Sequence, residues 1–278
     1  MRRTPRPRAT ATSPEGEPAA APRGSLTVAG TGIQVAGHLT TEARLAVERA
    51  EEVFFAVTDP IAAAWIQKTN PSAHSLAPFY EVGMERRLIY AAISDELVSH
   101  VRSGAEVCAV FYGHPGVFAW AGHDAINRVR AEGFPARMLP GISALDCLVA
   151  DLGLDPAPCG SQSYEATDFL VRRRVIDTGA LLILWQVGFI GGWRFEPEPN
   201  TKALPLLAER LLELYPVEHE GILYEASPYP VSGPVVQRLP LGSLREAEVP
   251  LVATLVVPPR DEPEFDHAML ERVRRLQS

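Results

Sequence analysis

The sequence predicts an α/β protein of two lobes, with a mostly parallel sheet in the first and a mixed sheet in the second. Three observations carry that prediction. In the first half, short apolar runs alternate with helical periodicity and end in glycine turns, as in a parallel sheet covered on both faces. In the second half the apolar runs lie farther apart and enclose one good helix. The chain has 278 residues, 46% of them hydrophobic and 22% charged, enough for one large domain or two lobes sharing a cleft.

The elements follow in order. Residues 1–23 are rich in Pro, Ala, Thr and Arg and lack large apolar side chains, which predicts a disordered tail. Without an apolar run this tail is no secretory signal, and Glu15 and Glu17 oppose a transit-peptide reading. The first lobe, residues 24–154, opens with a strand at 26–30 (LTVAG) and a helix at 40–50. A strand at 53–57 (VFFAV) stops at Asp59-Pro60, and a long helix covers 81–102. The strand at 106–112 (EVCAVFY) enters Gly113-His114-Pro115-Gly116. A helix near 124–132 and a strand at 136–139 then lead to Pro140-Gly141. The second lobe, residues 155–260, holds strands at 181–187, 221–226 and 251–257 (LVATLVV) and a helix at 202–214, with the boundary near 152–158. Residues 261–278 read as a charged stub.

Composition excludes several classes. The longest apolar stretch, 180–193, contains Gln186 and three glycines and is too short for a membrane span. Net charge is −8; residues 1–23 contribute +3, so the body carries −11 and makes a poor nucleic-acid binder. Cys108, Cys147 and Cys159 have neither disulfide-scaffold nor zinc spacing and fit a reducing cytoplasm. None of the seven histidines has metal-ligand spacing, so no metal is expected.

The local motifs are individually modest. Gly30-Thr31-Gly32 follows a strand, but the third glycine is Gly37, which favours a plain tight turn over a dinucleotide fingerprint. The turn from Gly113 to Phe118 sits at a strand end, where α/β sheets bind ligands, and Phe118 and Trp120 could cover an adenine-sized face. Ser143 and Asp146 fit a capping box at a helix start, which is compatible with a ligand there. In the long helix, Ile89, Ile93, Leu97 and Val101 form one apolar stripe, and Arg86 and Tyr90 project into it. An inward arginine needs a partner. That partner is either a carboxylate or backbone carbonyls, or else Arg86, Tyr90 and the nearby Tyr80 line a cleft. In the cleft, the guanidinium would lower a phenol's pKa and favour phenolate.

Taken together, GSLTVAGTGI, YGHPGVF, ARMLPGISALDCLVADLGLDP, SYEATDFLVR and LWQVG resemble the tetrapyrrole (corrin/porphyrin) methylase superfamily. Within it they are most similar to the borosin peptide backbone α-N-methyltransferases. The resemblance implies S-adenosylmethionine (SAM) as methyl donor, S-adenosylhomocysteine as product, the cofactor in the cleft between the two lobes, and a homodimer. By motif it places Tyr112, His114, Val117, Phe118, Ser143, Ala144, Gln186, Tyr224, Ala226, Ala253 and Thr254 around the cofactor. Tyr80, Arg86 and Tyr90 match the borosin catalytic cluster. On this reading Tyr80 is the base, Arg86 and Tyr90 stabilise charge and orient the substrate, and Tyr112 lies between amide and sulfonium. Borosin enzymes of fungi continue into a clasp and a fused core peptide. Here a short stub follows Pro259, so the expectation is a split enzyme acting on a separate precursor peptide, without membrane or nucleic-acid partners. The alternatives are a small-molecule methylase, for instance of tetrapyrroles, and an inactive SAM-binding dimeric scaffold.

Overall fold

The computed structural model describes residues 23–277, so the tail expected at 1–23 lies outside the described residues apart from Arg23. The first sheet is wholly parallel, in the order β3-β2-β4-β1-β5. Its strands are β1 (Ser25–Gly30), β2 (Glu52–Ala56), β3 (Ala73–Ser75), β4 (Glu106–Phe111) and β5 (Ala136–Met138). Side chains alternate along each strand between two cores, as period-two geometry requires. Val107, Ala109 and Phe111 face one core with Leu26, Val28 and Phe54; Cys108 and Val110 face the other with Val53 and Phe55.

Helices cover both faces. Helices α1 (Val35–His38), α2 (Thr41–Arg49) and α3 (Pro60–Thr69) precede the long α4 (Arg86–Arg102) and α5 (Trp120–Ala131). The fully buried Ile89, Ile93, Leu97 and Val101 form the predicted stripe of α4. That helix starts at Arg86, not at 81. Residues 83–86 are instead drawn into pairing with the second lobe: Gly83 N–H donates to the Phe195 carbonyl, Phe195 N–H to Met84, and Arg86 N–H to Trp193. Gly83, at φ +82°, turns the chain into that pairing.

The second sheet runs β6-β7-β10-β8-β9, with only the β6–β7 pair parallel. Its strands are β6 (Ser161–Glu165), β7 (Leu181–Trp185), β8 (Glu220–Glu225), β9 (Val235–Pro240) and β10 (Thr254–Val257). Helices α7 (Ala166–Val171) and α8 (Leu204–Leu212) cover one face. The other face meets α6 (Ala144–Leu152): fully buried Leu148 and the first-lobe Ile33 pack on Ile183, Trp185, Ile222 and Val256. This helix is therefore the wedge that joins the lobes. Two polar links reinforce it. Tyr224 O–H donates to Asp151 Oδ2 at 2.6 Å, and Tyr229, on the β8–β9 connection, donates to Asp59 Oδ1 at 3.1 Å. The stub carries an exposed helix, α9 (His267–Arg275). Among the described residues, no helix is long and apolar enough to cross a membrane.

Candidate active site

The strand order of the first sheet fixes where a ligand can sit. Chain connections leave β1 and β4 in opposite directions across the sheet, so a crevice opens outside their carboxyl ends. Two loops floor it. Gly32 N–H donates to the Gly113 carbonyl at 3.2 Å and Gly113 N–H returns the bond to Gly32 at 3.1 Å. A Cβ on Gly30 would stand 2.1 Å from the Gly113 oxygen, so the glycine there serves a close backbone approach. The residues following Gly113 climb the cavity wall. His114 Nδ1 accepts from the Gly116 N–H at 3.0 Å, and Phe118 is held at φ +53°.

Opposite, the end of β7 supplies Trp185 and then Gln186 at φ +59°. Phe118 and Gln186 are the two non-glycine residues with positive φ among the described residues, and they face one cavity from different lobes. Backbone strain of this kind persists where surrounding structure over-determines it, most often at ligand sites. The α6 N-terminus closes a third side. Ser143 accepts from Leu145 and Asp146 N–H groups, and the Asp146 carboxylate accepts from Ser143 N–H, the predicted capping box. Thr254 opens β10 opposite Tyr224.

These elements enclose a cavity of about 720 Å³. All the sequence-predicted site residues except Arg86 and Ala253 line it. Ala253 is buried in the second-lobe core, its carbonyl accepting from Val187 N–H at 3.0 Å. Arg86 lines an adjoining chamber of about 770 Å³ that shares Tyr90, Phe118, Ala119, Trp120, Gln186 and Phe189 with the first. Trp120, which lines both cavities, is 51% exposed, and Trp193, on the second, is 68% exposed. Among the described residues, no cluster of three or more His, Cys, Asp or Glu side chains is placed to hold a metal.

The donor set of the inner cavity fits SAM. Aromatic faces at Phe118, Tyr112 and Trp185 suit an adenine, and the backbone and hydroxyl groups at the Gly113 turn, Ser143 and Thr254 suit ribose and amino-acid polar atoms.

Tyr80, Arg86 and Tyr90 converge where the chambers meet. Tyr80 follows a 3₁₀ turn (Ala77–Phe79) and packs edge-on against Phe195 with ring centroids 5.3 Å apart. Arg86 is the first residue of α4, and Tyr90 lies one turn on, along the same face. Among the described residues, Arg86 has no ion pair. Its Nε is shielded from solvent without a hydrogen-bond partner, and its guanidinium carbon sits 4.5 Å above the Phe189 ring.

The expected phenolate is not what this environment favours. Burial pushes the Tyr80 hydroxyl up to about 12, the neighbouring Tyr90 adds to the rise, and the opposing pull of Arg86 is the smallest influence. Tyr112 is likewise pushed up to about 12, burial first and then the electrostatic influence of Cys147, Glu225 and Asp59. Both phenols are therefore protonated at neutral pH. Sequence reasoning did not single out Phe189, although it directly follows the LWQVG motif.

Comparison with known proteins places the chain. A family-wide sequence profile described as Tetrapyrrole (Corrin/Porphyrin) Methylases matches residues 25–226. The methyltransferase and ribosomally synthesized cyclic peptide omphalotin A precursor of Omphalotus olearius is 39% identical over 260 residues, 91% of this chain and 61% of that protein. A type I borosin cyclic peptide precursor methyltransferase of Serendipita vermifera subsp. bescii is 37% identical over 257 residues, 90% of this chain and 62% of that protein. The chain thus spans about three-fifths of the length of these relatives. Among solved structures, a uroporphyrin-III-C-methyltransferase of Thermus thermophilus superposes with a TM-score of 0.62 at 23% identity, covering 88% of this chain and 99% of that one. Diphthine synthase superposes with a TM-score of 0.58 at 18% identity, covering 84% and 90%. Both solved structures share the fold, and the chain belongs to the tetrapyrrole (corrin/porphyrin) methylase family.

Proposed function

We propose that this protein is a SAM-dependent methyltransferase that methylates backbone amide nitrogens of a ribosomal precursor peptide, iteratively and as a cytoplasmic homodimer. The peptide is taken as a separate chain. One observation carries the reading: an arginine with no ion pair among the described residues stands beside phenols where a cofactor-sized cavity meets a second chamber. The curated relatives, whose names join methyltransferase to cyclic peptide precursor, support a peptide acceptor. The exposure of Trp120 and Trp193 leaves room for a chain arriving from solution.

The chemistry asks for such a cluster. An amide nitrogen is a poor nucleophile because its lone pair is delocalised into the carbonyl. SAM, when bound, supplies an electrophilic methyl carbon. The protein must remove the N–H proton or let negative charge collect on the carbonyl oxygen. Arg86 answers the second need by donating a charge-assisted hydrogen bond to that oxygen, and Tyr90 orients the same group. Tyr80 takes the proton, and Tyr112 fixes the amide at the mouth of the inner cavity. Because the Tyr80 hydroxyl is pushed up to about 12, proton removal is the demanding step.

The test is incubation with SAM and each short peptide encoded beside the gene, followed by fragment mass spectrometry. Successive one-methylene mass increments on backbone nitrogens are expected. A methylated tetrapyrrole or other small molecule, or no product at all, would overturn the reading. The variants Tyr80→Phe and Arg86→Ala should bind SAM normally by calorimetry and lose transfer.

A further inference from the structure

We propose that Phe189 is a positioning residue, holding the Arg86 guanidinium in line with the acceptor by a cation–π contact that leaves its charge unspent. The inference rests on the role just given to Arg86. A half-buried guanidinium ordinarily takes a carboxylate partner. Arg86 has none among the described residues, while its neighbour Arg87 is paired with Glu85 at 2.8 Å. What faces Arg86 is the Phe189 ring, 4.5 Å from the guanidinium carbon.

A ring and a carboxylate do different things to an arginine. A carboxylate accepts its N–H groups and cancels its charge. The ring attracts the cation through its quadrupole and accepts none of the in-plane N–H groups in a fork. An arginine held on a ring therefore keeps donors and full charge for an oxygen that becomes negative during the reaction. The Nε without a partner among the described residues fits this: the donor is shielded from water and left unused by them.

The ring is itself held rigidly. It ends a 3₁₀ turn (Val187–Phe189) entered through the left-handed Gln186. Val187 N–H donates to Ala253, and Asn200 bonds both Gly188 and Ile190, at 2.7 and 3.1 Å. Gly188 is wedged so closely that a Cβ would stand 2.5 Å from the Pro250 oxygen. The Arg86 backbone is tied to Trp193, four residues beyond Phe189. One loop of the second lobe thus sets both the backbone and the side chain of a first-lobe arginine.

The test reads the arginine itself as well as the rate. In protein carrying nitrogen-15 arginine, the Arg86 Nε–H signal, assigned by its loss in Arg86→Lys, should be ring-current shifted and slow to exchange. Phe189→Leu should remove both signatures and lower kcat about tenfold, a larger change than any in SAM affinity or peptide KM. Phe189→Trp should restore the shift and most of the rate, and Phe189→Met carries the same test if the leucine variant fails to fold. An unshifted Arg86 signal in the wild type, or a Phe189→Leu protein with unchanged signal or unchanged kcat, overturns the proposal. Should the wild type methylate no peptide, the reading of the reaction fails while the signal still decides what holds Arg86.

Discussion

If Tyr80 removes the amide proton, its environment dictates how the rate depends on pH. With the hydroxyl pushed up to about 12, only about one molecule in 10⁵ carries the phenolate at pH 7. An unperturbed tyrosine would carry it in about one in 10³, so burial lowers the population of base about a hundredfold. Between pH 7 and 9 the initial rate of transfer, at saturating SAM and peptide, should therefore climb close to tenfold per unit. Arg86 is the one neighbour that pulls this hydroxyl down. Arg86→Met should consequently move the rise to still higher pH, in addition to lowering the rate. Unfolding does not confound this window. Tyr80 and Tyr112 both have folded-state values above their unfolded ones, so the stability linked to them is complete below about pH 10 and drains only as pH climbs from about 10 towards 12. The assay is a series of quenched initial rates read by mass spectrometry, with Tyr80→Phe alongside. A flat profile from pH 7 to 9, or a Tyr80→Phe protein that keeps the slope, would refute the assignment of Tyr80 as base.

Two further predictions concern the framework. Tyr224→Phe removes the hydroxyl that bonds Asp151 across the lobes, and because Asp151 is exposed and regains water, the loss in urea melts should be about 1–2 kcal/mol; a change indistinguishable from zero would mean the link does not hold the lobes. Gly188→Ala places a methyl 2.5 and 2.6 Å from the Pro250 and Leu251 oxygens, costing about 1–3 kcal/mol. Since the same turn carries Gln186, SAM affinity by calorimetry should fall as well, and an unaltered melting temperature would contradict the packing described.

Strands β1, β2 and β4 were legible as apolar runs and lie within a residue or two of their expected bounds, whereas the three-residue β3, reading AHS, left no such run. Elements that depend on partners were not. β6 reads SQSYE and β9 reads VVQRLP; both are edge strands whose pairing, not their own pattern, makes them strands. Helix α3 did leave a signal that was read only as a stop: Asp59 caps it, accepting from Ile61 and Ala62 N–H groups, and Pro60 occupies its first turn. The helix expected at 81–102 lost its first five residues to a pairing with residues 193–195 that no local periodicity could reveal. The cofactor-side residues were legible through motifs. The surroundings of Arg86 were not, because a ring some hundred residues away replaced the carboxylate that composition suggests, and the protonated phenols follow from burial, which a sequence does not display.

The locked pair of glycine loops has one more consequence. With a backbone oxygen 2.1 Å from any added carbon at Gly30, and each loop spending an N–H and a carbonyl on the other, the base of the crevice has no freedom left to vary. New acceptors can enter this architecture only through changes on the ramparts above it, along the run from Tyr80 to Tyr90 and the one from Gln186 to Phe195. A library confined to those two stretches would search specificity while leaving the donor's berth intact.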